Sequence, residues 1–218
     1  MVRRSSRGTF AAALVFPGGA IEPGDGAPEW DALVEDFAEY DEHERARRIG
    51  AIRETWEETS ILVGVAAGVV APTGRPSGVG FRDFVEKSGV RLRLASLVNL
   101  AHWITPITEP RRFDTHFYVA LAPTNQVAVA DGREIVGIEW VSPAGAAHAA
   151  RRGESPILFP TLMNLDRLAE SAGSEAAIAA ARARPTFTVQ PVVETAADGS
   201  RVIVIPAEAG YSVTRYSP

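Results

Sequence analysis

Cysteine is absent from the 218 residues, which excludes disulfide scaffolds and thiolate metal sites. There is no apolar run long enough to span a membrane, and no signal peptide with an apolar middle. The cytoplasm is therefore the default compartment expected. No basic block offsets the net charge of -5, which argues against a nucleic-acid backbone as the main partner. Internal repeats and low-complexity segments are also missing. What remains is an ordinary globular composition, 46% hydrophobic and 22% charged. The length suggests one domain with elaborations.

The chain begins abruptly. MVRRSSR leads at once into the apolar stretch 10–16, as if in the middle of a domain. Arg3, Arg4 and Arg7 read as a flexible basic start, with contact to a substrate phosphate as the alternative. Residues 10–16 read as a short buried strand stopped by Pro17-Gly18-Gly19, and a turn-rich segment follows. Trp30, Leu33, Phe37 and Tyr40 recur at helical spacing and predict one amphipathic helix. Asp41, with Glu44 three residues on, predicts the start of another helix running to about Thr59. Strands are expected over 61–70, 97–105, 113–121, 135–141, 186–194 and 201–206, the last two flanking a turn at 197–199. Helices are expected over 81–87, 143–151, 160–171 and 174–184, with Ser142-Pro143 as a start signal. The order of elements is α+β with a mixed sheet.

The informative segment is Arg53-Glu54-Thr55-Trp56-Glu57-Glu58. At ~100° per residue the three glutamates fall within roughly 100° of arc, opposite Ile49, Ile52 and Trp56. Like charges at this spacing repel. A divalent cation removes the repulsion and prefers such oxygen ligands. By themselves, three helical glutamates read first as a solvated acidic face paired with Arg47, Arg48 and Arg53. The upstream loop with Gly18, Gly19, Glu22, Gly24 and Asp25 shifts the reading, because backbone amides of such a loop can approach phosphate oxygens. A metal beside them neutralises phosphate charge and activates water.

These residues resemble the Nudix box, Gly-x5-Glu-x7-Arg-Glu-U-x-Glu-Glu-x-Gly-U with U aliphatic. Gly19 opens it, Asp25 stands at the spaced Glu, Arg53-Glu54 and Glu57-Glu58 match, and Ile61 closes it. Thr55 replaces an aliphatic residue and Ser60 the final Gly. Residues 26–52 form a spacer about 20 residues longer than the family's. The segment from Trp103-Ile104-Thr105-Pro106 through Pro110-Arg111-Arg112-Phe113-Asp114-Thr115-His116-Phe117-Tyr118 looks like that of Nudix hydrolases related to peroxisomal coenzyme A diphosphatases, which also carry an insertion inside the box.

The resemblance implies an α/β/α sandwich around a mixed sheet. Members of the branch have a further strand before the residues matching Arg3-Arg4, so the sheet is expected to lack its first strand here. Residues 1–171 would form the Nudix domain, with 27–50 as a helical insertion, and 172–218 a helix and hairpin packed on it. The implied reaction is hydrolysis of a diphosphate in a nucleoside diphosphate derivative by metal-activated water. Coenzyme A or acyl-coenzyme A leads as substrate, with ADP-ribose or a dinucleotide, and a non-catalytic sensor, as alternatives. By resemblance, Glu57 and Glu58 would ligate Mg2+ or Mn2+, and Glu54 would be a third ligand or the general base. Arg53 would orient a glutamate. Gly18, Gly19, Arg112 and Glu134 are expected at the substrate. Glu134 is the favoured acidic residue outside the box, ahead of Asp114. His43, His102, His116 and His148 share no metal-ligand spacing and read as surface or core, and Trp103 as core or an adenine platform. A homodimer is left open.

Overall fold

A computed structural model describes residues 1–7, 10–66, 69–70 and 72–217. In chain order the elements begin with strands β1 (Val2–Arg4) and β2 (Leu14–Val15), followed by two 3-10 turns, Pro28–Leu33 and Phe37–Glu39. Helices α1 (Glu42–Thr59) and α2 (Phe81–Ser88) lead to a 3-10 turn at Leu94–Ser96 and strands β3 (Val98–Ile104), β4 (Asp114–Val119) and β5 (Ile135–Ile138). Helices α3 (Pro143–Arg151), α4 (Phe159–Ala169) and α5 (Ser174–Ala183) precede β6 (Thr188–Val189), β7 (Val192–Thr195), β8 (Arg201–Val204) and β9 (Arg215–Tyr216).

Among the described residues three small sheets form. The first runs β2-β1-β5 and is antiparallel, while β7-β8-β9 is an antiparallel meander. The sheet β4-β3-β6 is mixed, because β3 pairs antiparallel with β4 and parallel with β6. Alternation of side chains places neighbouring residues on opposite faces. Tyr118 packs with the cluster under α1 and α2, whereas Phe117, Ala101 and Trp103 pack with the cluster that takes in α3 and α4. The mixed sheet is thus sandwiched between helices, the α+β arrangement that the resemblance implies.

Helix α1 forms where the sequence says it should. Asp41 Oδ1 accepts from the Glu44 N–H at 2.8 Å, a capping bond. Ile49, Ile52 and Trp56 are buried, and the Trp56 ring stacks on Phe84 with centroids 4.7 Å apart. The helix ends at Ser60, whose φ of 59° is left-handed. Glycine meets that conformation without strain, so the departure from the family's Gly falls on a position with a steric cost.

Several expectations are corrected. The basic start is not a flexible tail: Val2–Arg4 is the middle strand of its sheet, Arg3 pairs with Glu139 at 2.5 Å, and Arg4 pairs with Glu134. Only Leu14–Val15 of 10–16 is strand, because Phe10 and Ala12 adopt positive φ as the chain reverses toward β1. The amphipathic helix over 30–40 is two 3-10 turns. Val34 and Tyr40 are extended, and Val34 sits in a bridge to Leu92 flanked by bonds from Leu92 N to Leu33 O and Glu35 N to Leu92 O. Its apolar residues still face the core, with Trp30 buried. The 27–50 insertion is therefore α-helical only from Glu42 on, and part of the long spacer is simply the front of α1. Residues 61–70 hold no strand among those described, since Gly64 turns at φ 74° and Val65 makes one bridge; residues 67 and 68 lie outside the description. The 186–194 strand splits into β6 and β7 around Pro191, which has no N–H to donate.

The C-terminal residues are tied to the mixed sheet. Tyr211 OH accepts from Trp103 Nε1 at 3.0 Å and donates to Asn164 Oδ1 at 2.7 Å. The Arg167 guanidinium lies 3.6 Å over the Tyr211 ring and donates to Ala209 O. Among the described residues no helix is long and apolar enough to cross a membrane.

Candidate active site

The C-terminal half of α1 presents Glu54, Glu57 and Glu58 toward the loop that follows β2. Arg53 organises this corner from a buried position. Its Nε and Nη2 donate to Asp25 Oδ1 and Oδ2 at 3.0 and 3.1 Å, a bidentate pair. Nη1 donates to Glu54 Oε1 at 2.9 Å and Glu57 Oε2 at 3.1 Å, and Nη2 also donates to Ala20 O at 2.8 Å. One guanidinium therefore ties the loop to two of the three glutamates. Asp25 reaches it across the long spacer because its own carboxylate is buried and also accepts from Glu22 N–H at 2.8 Å. Gly50 makes the approach feasible: a Cβ there would lie 2.9 Å from Asp25 Oδ2.

The glycine loop presses on the carboxylates directly. Gly18 N–H donates to Glu58 Oε2 at 3.0 Å. A Cβ on Gly19 would stand 2.5 Å from the Glu54 carboxylate, so only glycine fits without displacing it. The expectation that Gly18 offers its amide to a phosphate is thus corrected in one respect: that amide is already donated to Glu58.

Burial dominates the electrostatics. It pushes the Glu58 carboxyl up to about 8, opposed by the Gly18 N–H and reinforced by the charges of Glu54 and Glu134. Glu54 is raised too, first by burial, with Arg53 pulling it back and Glu57 and Glu134 adding repulsion. Arg53 is held more firmly protonated by Asp25 and Glu54 despite its burial. Glu134 thus acts on both buried glutamates through space, while Arg4 pairs with it across the β1–β5 edge. Arg112 lies exposed in the β3–β4 connection, where its Nε donates to Thr105 O at 3.2 Å.

The carboxylates suit a hard divalent cation. They are oxygen donors, two are partly desolvated, and their mutual repulsion is what a cation would relieve. They are not drawn into a tight cage: among the described residues three potential ligand atoms come within 4.8 Å of one another at His102, Asp114 and His116, not at the helix glutamates. A cation that keeps several waters needs only one or two carboxylates, which this spacing allows.

That second cluster was not legible in the sequence. His102 and His116 face each other across β3 and β4, with Asp114 two residues from His116 on the same face. His102 Nε2 meets Asp114 Oδ1 at 2.6 Å, and the imidazole rings stack 3.9 Å apart. Burial, then the neighbouring His102 and Arg47, lower the His116 pKa to about 4. The reading of these histidines as unrelated residues is corrected by strand register. His43 and His148 stay apart from it, and Trp103 is a core residue.

Comparison with known proteins completes the description. Residues 36–168, more than half of the chain, match the family model described as the NUDT19 Nudix domain. The acyl-coenzyme A diphosphatase NUDT19 of Xenopus laevis is 23% identical over 225 residues, covering 77% of this chain and 58% of that protein. Its counterpart in Gallus gallus is 26% identical over 231 residues, covering 77% and 60%. The chain thus spans under two thirds of the length of these curated relatives. A crystal structure of a NUDIX hydrolase from Alicyclobacillus acidocaldarius superposes with a TM-score of 0.68 at 26% identity, covering 82% of this chain and 86% of that one. The matched span takes in Arg53, all three glutamates and the β3–β4 segment, and on that ground the chain belongs to the Nudix family, in the branch of the NUDT19 Nudix domain.

Proposed function

We propose that this chain is a diphosphatase that hydrolyses the diphosphate linkage of a nucleoside diphosphate derivative, with coenzyme A or an acyl-coenzyme A as the leading substrate. The observation that carries the reading is the Arg53 hub, which holds Glu54 and Glu57 beside a glycine loop that grips Glu58. Mg2+ or Mn2+ held by Glu57, Glu58 and Glu54 would neutralise phosphate charge and lower the pKa of a water. The protein's own part is positional. Arg53 fixes the glutamate rotamers, Asp25 keeps Arg53 in place, and the bare Gly19 backbone leaves Glu54 its room. Glu54, whose carboxyl burial pushes upward, is either the third ligand or the general base. Glu134 and Arg4 close the charge pattern on the β1–β5 side, and Arg112 is assigned to the substrate's outer phosphates.

The substrate choice follows the NUDT19 relatives and is tested directly. Purified protein with Mg2+ or Mn2+ is offered coenzyme A, ADP-ribose, NADH and diadenosine polyphosphates, and the products are identified by mass. Release of 3',5'-ADP and phosphopantetheine is the expected result. Faster turnover of ADP-ribose or a dinucleotide would reassign the substrate. Binding without turnover of any of them would make the protein a sensor.

A further inference from the structure

We propose that His102, His116 and Asp114 form a binding site for one imidazole-preferring transition-metal ion, such as Zn2+, Ni2+ or Co2+, distinct from the glutamate site. The sheet itself builds the cluster. His102 pairs with His116 and Ile104 with Asp114, so both imidazoles and the carboxylate share the face of β3 and β4 that looks toward α1. Both imidazole Nε2 atoms converge on one carboxylate oxygen, His102 at 2.6 Å and His116 at 3.7 Å. One ligand atom from each residue lies within 4.8 Å of the others. A tetrahedral ion with bonds near 2.0–2.1 Å needs ligands about 3.3 Å apart. Closing the gap requires side-chain rotation that fans the stacked rings until both planes contain the ion.

Two further features favour ligation. His102 Nδ1 lies 2.8 Å from Thr188 Oγ1 on the adjoining β6. With Nδ1 protonated and donating to that hydroxyl, Nε2 is left as the ligand, the usual way a second hydrogen bond fixes a metal-binding imidazole. Asp114 is well exposed, which leaves an entry path and an open coordination position for water. The donor set separates the two sites chemically. Two imidazoles and a carboxylate suit Zn2+, Co2+ or Ni2+, whereas all-carboxylate donors suit Mg2+. They are separate in space as well: the helix charges acting on His116 are Arg47 and Glu44, and Arg47 lies about 10 Å along α1 from Glu54 at 1.5 Å per residue.

The test uses the full chain, stripped with chelator and titrated with Co2+ in excess Mg2+. A saturable visible absorption band at one equivalent, bleached by Zn2+, is expected. The band should persist in Glu57→Gln, weaken at least tenfold in midpoint in Asp114→Asn, and vanish in the double variant His102→Asn with His116→Asn. Asp114 is exposed, so its variant decides the matter even if the double variant misfolds. A band lost in Glu57→Gln, one unchanged in Asp114→Asn, or no band at all would overturn the proposal. Because no turnover is measured, failure of the diphosphatase reading leaves this result intact.

Discussion

The glutamate end of α1 and the histidine face of the mixed sheet are both polar clusters, yet they are built on opposite principles. On α1 the groups lie within five residues of one another, and a buried arginine and a glycine loop hold them. They remain apart, spread along Arg53 and Gly18. On the sheet the groups come from two strands twelve and fourteen residues apart in sequence, and they touch one another directly. The first arrangement preserves a space between carboxylates for something charged and hydrated. The second brings its donors close enough for one ion to replace a hydrogen bond. Held-apart carboxylates and self-paired imidazoles therefore point to different occupants.

The sharpest separation should come from Glu57→Gln and Glu58→Gln. Each is expected to lower turnover by more than the roughly 10–100-fold typical of groups that only orient a ligand, with the circular dichroism of the helix unchanged. Unaltered turnover would end the assignment. Gly19→Ala forces the Glu54 carboxylate aside and should cost up to about 100-fold in kcat with little change in Tm, as misplacement near 1 Å does. Arg53→Ala breaks a buried pair and strands Asp25, so urea unfolding should show a loss of about 3–5 kcal/mol.

A pH test comes next. Glu58 has a folded pKa near 8 against 4.5 for the free group. The fold therefore favours the protonated form, and stability from this group is full below about 4.5 and falls as pH rises to 8. The Tm of chelated protein should decline across that window, with a limiting slope of about 1.4 kcal/mol per pH unit. Glu58→Gln should flatten the decline, and Mg2+ at pH 8 should reverse it. The smallest effect concerns the helix end: Ser60→Gly relieves a left-handed serine and should add about 1 kcal/mol, less the weak bond from Ser60 Oγ to Val129 O at 3.3 Å.

How much of this could be read from the sequence follows the same division. Helix α1, its cap at Asp41 and the grouping of its glutamates are local patterns with one period, so spacing alone revealed them. The bidentate Asp25–Arg53 contact was not read from the sequence: motif position placed Asp25 in the box and gave Arg53 a glutamate to orient, and the spacer hides the geometry between them. Trp30, Leu33, Phe37 and Tyr40 kept helical spacing but formed 3-10 turns, since burial of a stripe does not distinguish a helix from turns that bury the same residues. The His102–Asp114–His116 cluster was invisible because it depends on pairing register, which a shift of one residue would destroy. Arg4 and Glu134 escaped for a similar reason, as a pair 130 residues apart across two strands.

The tie between Tyr211 and the mixed sheet has a consequence for how the chain responds to cutting. Ala172 and Gly173 are exposed between α4 and α5, an accessible place for a protease. The segment beyond is held by β6 pairing, by the Trp103–Tyr211–Asn164 relay and by Arg167, none of which runs through the cut bond. A molecule nicked there should travel as one particle on a sizing column and as two bands only after denaturation.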